Sequence, residues 1–129
     1  MSREYSDMQH CRARTRWLLV VLWACVIFGF SSIPSLSTHL GTWDLILRKC
    51  AHMTEYAILA WLLLRACRGY RLAFVLAVAY ACTDEFHQTF VRGRHGTPVD
   101  VGIDAVGALI GLALCAWAPS RLWAWSTER

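Results

Sequence analysis

Three groups of ionisable residues interrupt otherwise apolar stretches of this chain. They are Arg48-Lys49-x-x-His52-x-x-Glu55-Tyr56, then Asp84-Glu85-x-His87-Gln88, then Arg92-x-Arg94 with Asp100 and Asp104. A charge set in hydrocarbon is costly and is usually kept for a purpose. Carboxylates beside a histidine and arginines, half withdrawn from water, suit acid–base work, because burial and like-charge proximity separate their proton affinities. In that reading His52 or Glu55 is the acid or base and Asp84 or Glu85 its partner. Arginine forks match phosphate geometry, so Lys49 and Arg94 suit an anion clamp. A lipid-linked phosphate fits such a site, with its headgroup on the charges and its tail in the bilayer. Tyr56, Gln88, Asp100 and Asp104 complete the binding set.

Other readings of the same residues stay open. A non-enzymatic binder or carrier would use them to hold a lipid headgroup or a drug. A purely structural salt-bridge network would use them to fix helix register. So many ionisable groups at one level favour a site, since the desolvation cost of buried pairs can exceed their Coulomb gain. A metal would find nitrogen and oxygen ligands in His52, Glu55, Glu85 and His87. Lys49 and Arg48 lie within a turn and oppose a cation, so neither a metal nor a cofactor is expected.

The elements that must position these groups are membrane helices. The 129 residues are 57% hydrophobic and 17% charged, with seven tryptophans. That is too apolar for a small soluble domain. The net charge of +4 comes from basic residues at the ends of apolar segments, a sign of topology and not of nucleic-acid binding. The six cysteines fall mostly inside apolar runs and form no C-x-x-C pair, so a disulfide framework or zinc knuckle is not expected.

The first segment runs from Trp17 to Phe30, or to Ile33 before Pro34 stops it. It follows Arg12, Arg14 and Arg16 but lacks a small-x-small cleavage site, so an uncleaved first helix is expected. A bilayer crossing takes roughly 20 residues. Ala57–Leu64 and Leu72–Thr83 are each too short until extended, back to Leu45 and on to Phe90, which brings in the charges. Val99–Ala118 is long enough and contains Asp100 and Asp104. The expected fold is therefore all-α, an integral membrane four-helix bundle over residues 17–118, with tails at 1–16 and 119–129.

Arg3, Arg12, Arg14, Arg16, Arg65, Arg68, Arg71, Arg121 and Arg129 fall on one side of such a bundle. Arg48, Lys49, Arg92 and Arg94 fall on the other, nine against four of the 13 basic residues. The richer side is expected to be cytoplasmic, with both termini inside. The polar groups then meet in the outer half. Residues three or four apart share a helix face, which groups Lys49, His52 and Tyr56, then Tyr80, Asp84 and Gln88, then Asp100, Asp104, Gly107 and Gly111. Gly107-x-x-x-Gly111 permits close helix approach and should turn both aspartates inward. The loop with Gly93, Gly96 and Pro98 should bring Arg92 and Arg94 over the cluster. The tryptophans read mostly as interfacial anchors, and His10, His39 and His95 as solvated.

The motif set Lys49-x-x-His52-x-x-x-Tyr56, Asp84-Glu85-x-x-Gln88-x-Phe90, Gly93-Arg94, Asp100 and Gly107-x-x-x-Gly111 resembles the VanZ-like family. Ser31-Ser32-x-Pro34 belongs to the same resemblance, which spans roughly Phe28 to Leu114. Arg92 stands where a proline often precedes the Gly-Arg pair, and Asp104 where many members carry asparagine. The resemblance implies a small multi-pass protein of the bacterial inner membrane. It also implies, in some members, a link to glycopeptide tolerance, the family being named after a teicoplanin-resistance protein.

Overall fold

In a computed structural model of the chain, the backbone is described for residues 2–34 and 41–118, and side chains from residue 10 onward. His39, Trp123, Trp125, Arg121, Arg129 and the tail at 119–129 lie outside the described residues. The described residues form four helices: α1 (Ser2–Ser31), α2 (Thr42–Cys67), α3 (Tyr70–Gln88) and α4 (Pro98–Trp117). The all-helical expectation holds. Two helices, over His10–Ser31 and Pro98–Trp117, are long and apolar enough to cross a membrane.

α1 differs most from expectation. It starts at Ser2, not near Trp17, so the segment read as a tail is helical. No proline or glycine lies between Ser2 and Arg16, so nothing there breaks a helix. The other ends follow local chemistry. α2 closes on Arg68, whose left-handed backbone (φ 57°) lets its N–H reach the Leu64 carbonyl. Gly69 then starts α3 at once. α4 opens on Thr97 as N-cap, with Pro98 following in the first turn, where its missing N–H costs nothing.

α2 is central and touches each of the other three helices, most extensively α4. Tyr56, Leu59, Ala60 and Leu63 on α2 are buried, as are Ala73, Ala77 and Ala81 on α3. The alanines recur every fourth residue, a small-residue stripe that lets α3 approach closely. Gly107 and Gly111 do the same for α4. A Cβ on Gly107 would sit 2.5 Å from the Met53 carbonyl oxygen, and one on Gly111 would sit 2.8 Å from the Ala57 Cα. The glycine stripe therefore faces α2, as its spacing suggests.

α1 is peripheral: among its described side chains, from residue 10 on, only Val20, Ile27 and Ser31 are buried. Its neighbours hold it by hydrogen bonds: Trp23 donates Nε1–H to the Glu55 carbonyl at 2.9 Å, and the Tyr80 hydroxyl donates to the Ala24 carbonyl at 2.5 Å. Trp23 is thus an internal contact, not an interfacial anchor. Large apolar side chains cover the outside as well, among them Leu18, Leu22, Phe28, Leu109 and Leu114. An apolar exterior around a partly polar interior is the reverse of a soluble protein's arrangement.

Candidate functional site

The C-terminal ends of α1 and α3 and the N-terminal ends of α2 and α4 converge at one end of the bundle. The ends of α2, α3 and α4 and the loop before α4, with α1 outside the lining, surround a cavity of about 310 Å³. Lys49, His52, Glu85, Gln88, Arg94, Asp100 and Asp104 line it. Glu55, Asp84 and Tyr56 do not. They lie behind the lining, with Tyr56 and Asp84 almost wholly buried. The residues singled out by spacing therefore sort into an inner wall and a layer beneath it.

The mouth carries the cations. Lys49 pairs with Asp100, and Arg48 pairs with Asp44 one turn earlier on α2. Asp100 is held in place by Thr97. The Thr97 hydroxyl accepts from the Asp100 N–H at 3.2 Å, an N-cap bond, and donates to Asp100 Oδ2 at 2.8 Å. The Thr97 N–H in turn donates to Glu85 Oε2 at 3.2 Å. Thr97 was not among the expected site residues, although Thr-x-x-Asp before an apolar run is a legible capping signal. Gly96 lets this loop lie against α3, since a Cβ there would collide with the Glu85 carbonyl.

Arg94 reaches across the mouth to α1. It donates to the carbonyls of Ile33 (2.9 Å) and Phe30 (3.1 Å), and to the Gln88 side chain at 3.4 Å. A cation at the end of α1 also complements the helix dipole. Those three bonds leave part of the guanidinium donor set unused. Burial, then the nearby Arg48 guanidinium, holds Arg94 below the ordinary arginine value. Arg92, expected beside it, is exposed and does not line the cavity. Gly93 turns the backbone between them with φ 75°, so the two side chains diverge. His95, expected to be only solvated, is exposed but contributes to the lining.

The floor carries the acids. Asp84 Oδ2 accepts from the buried Ser31 hydroxyl at 2.7 Å and from Gln88 at 3.2 Å. His52 Nδ1 stands 3.7 Å from Asp104 and 3.9 Å from Glu55, close enough for charge attraction and too far for a hydrogen bond. Five buried polar atoms here have no hydrogen-bond partner: His52 Nδ1, Glu55 Oε2, Tyr56 Oη, Asp84 Oδ1 and Asp104 Oδ2. Buried polar groups are nearly always paired, and each exception calls for an explanation.

His87 does not join the cluster. It stacks on Phe28 with ring centroids 4.2 Å apart, and its Nε2 lies 3.0 Å from the Ser32 hydroxyl. His52, Glu55, Glu85 and His87 therefore do not form a ligand set. Among the described residues no group of three or more His, Cys, Asp or Glu is placed to hold a metal ion.

No curated protein and no solved structure matches the chain. The family model described as VanZ/LLP1 matches residues 16–119, which takes in α2, α3, α4, the second half of α1 and every residue of the cavity. Family and apolar helices together point to a membrane protein. The chain belongs to the VanZ/LLP1 family.

Proposed function

We propose that the chain is a multi-pass protein of the bacterial inner membrane whose cavity binds the headgroup of a lipid-linked envelope component at the outer leaflet. The observation that carries this reading is the cavity itself. Lys49 and Arg94 stand at its mouth, partnerless carboxyl oxygens lie around its floor, and a lipid tail would find an apolar exterior alongside. Its volume lies at the lower end of the range for small-molecule sites, about 300–1,000 Å³. The basic asymmetry between the two sides of the bundle supports cytoplasmic termini, which puts the mouth outside.

Binding fits better than catalysis. The cavity assembles charged groups suited to a headgroup, while no hydrogen bond from Asp104 or Glu55, at 3.7 and 3.9 Å, orients the His52 Nδ1 as a base is oriented in a catalytic triad.

The test is lipid binding by the purified protein, read by native mass spectrometry. Short-chain phosphatidic acid and phosphatidylglycerol should bind, and Arg94→Gln should weaken both while the melting temperature shows a folded protein. A folded Arg94→Gln variant that binds both normally would overturn the site. If His52→Gln abolished turnover of a bound lipid without weakening its binding, the enzymatic reading would replace this one. Reporter fusions after Arg68, His95 and Arg129 should read in, out and in. An inside reading at His95 would defeat the outer-leaflet placement. If glycopeptide tolerance accompanies the family's role here, the wild-type chain should confer it and Arg94→Gln should not.

A further inference from the structure

The cations of the site are already engaged, whereas one carboxyl oxygen each of Glu55, Asp84 and Asp104 has no partner. Lys49 pairs with Asp100, Arg48 with Asp44, and Arg94 is anchored on two α1 carbonyls and Gln88. Beneath them, the four carboxyl groups of Glu55, Asp84, Glu85 and Asp104 have as nearby positive charge His52, the anchored Arg94 and, beside Glu85, the already paired Lys49. Asp104 lines the cavity with 1% of its surface exposed, and its Oδ2 has no partner. Asp84 and Glu55 each leave a further buried oxygen partnerless just behind. Carboxylate oxygens only accept when ionised. What this floor lacks is a donor of N–H or O–H bonds that also carries positive charge.

The lining narrows the choice. A metal ion is disfavoured, since no ligand set is assembled and Lys49 stands at the mouth. A quaternary ammonium is characteristically held by aromatic faces, and no Phe, Tyr or Trp lines this cavity. It also has no N–H to offer the partnerless oxygens. A primary ammonium has three.

We propose that the floor around Asp104 and Glu85 binds a primary ammonium group, so that the ligand is a zwitterion with its anionic part at Lys49 and Arg94 and its amine inside. Phosphoethanolamine-type headgroups have this chemistry, whether on a lipid or free in water. This rests on the cavity being the binding site proposed above. The added content is the polarity of the ligand, anion outward and cation inward.

The experiment compares three short-chain lipids on the purified protein, with phosphatidylethanolamine, phosphatidylcholine and phosphatidic acid headgroups, by native mass spectrometry and thermal shift. Ethanolamine should bind about tenfold or more tightly than choline, because a charged hydrogen bond of roughly 1.5–3 kcal/mol is lost on methylation. This comparison needs no variant. Asp104→Asn should then weaken the ethanolamine lipid by about the same factor and strengthen phosphatidic acid, which the carboxylate repels, so the selectivity inverts. Equal binding of the choline and ethanolamine lipids overturns the ammonium site while leaving the cavity a lipid site. An unchanged ethanolamine preference in a folded Asp104→Asn variant also overturns it. Failure of all three lipids to bind removes both this inference and the reading beneath it. O-Phosphoethanolamine without chains separates the sources. Affinity equal to the lipid's assigns a water-soluble zwitterion, and loss of binding assigns a membrane lipid.

Discussion

The seam between α2 and α4 has two halves that behave oppositely. The helices run in the same direction, so successive residues of one meet successive residues of the other. In the first half Lys49 meets Asp100 and His52 meets Asp104, and a cavity opens between them. One turn further, Met53 meets Gly107 and Ala57 meets Gly111, and the backbones come almost into contact. The difference is one of side-chain length. Where α4 has no side chain, the axes are drawn together and the gap vanishes. Where both helices carry polar side chains, the same short separation brings those groups within reach and leaves room only at their tips. The tight half sets the distance at which the open half works.

The largest test of this contrast is Gly111→Leu. The new side chain would meet backbone atoms of Ala57, with the Cα and carbonyl carbon 2.8 and 2.9 Å from its Cβ, and these cannot swing aside. We expect about 3 kcal/mol or more of lost stability, read as a lower melting temperature and yield in detergent. Leu114→Val, on an exposed position of the same helix, should stay within about 0.5 kcal/mol. Similar losses from both would mean that the seam is not held by the glycines.

A second change probes the open half from beneath. Ser31→Ala removes the buried hydroxyl that donates to Asp84, leaving that oxygen with Gln88 alone. The cost should be roughly 1–3 kcal/mol in a melt. No measurable loss would show that the floor tolerates partnerless acceptors without strain.

Lys49→Met tests the mouth. Its pair with Asp100 is partly exposed, with side chains 38% and 26% accessible, and Asp100 keeps its bonds to Thr97. The stability loss should therefore be at most about 1 kcal/mol. A loss as large as that of Gly111→Leu would make the mouth, and not the glycines, the clamp.

The smallest effect is a control. Gly102 is in α4 but has nothing within 4 Å of its missing Cβ. Gly102→Ala should stabilise by about 0.5–1 kcal/mol through lost chain entropy. Destabilisation would indicate a contact on that face.

The sequence carried the helices because their boundaries are chemical: Pro34, Gly69, and the Thr97-Pro98 pair mark three of them. It carried the facing of the glycine stripe because a fixed spacing on a regular helix maps directly onto one side. It did not carry the division between Glu85, in the cavity wall, and Asp84, behind it. Those neighbours are both buried and point about 100° apart on α3; the rotation of α3 turns Glu85 to the cavity and Asp84 to Ser31 of α1. Arg92 and Arg94 were inseparable for a similar reason, since their divergence is set by the turn at Gly93. Charge alone does not mark a tail: Ser2–Arg16 holds no glycine or proline and is rich in Arg, Glu, Gln and Met, which suit a helix.

The bonds that hold α1 fall on one side of it, within about 120° of arc, at Trp23, Ala24, Phe30 and Ser31, and just past its end at Ile33. In hydrocarbon, apolar side chains gain little by leaving lipid for protein, so these bonds, more than greasy burial, fix where α1 docks. A helix advances about 100° per residue. A slip of one position would swing every one of these groups away from its partner together. α1 therefore has one azimuth, chosen all at once, and the cavity floor is complete only when that choice has been made.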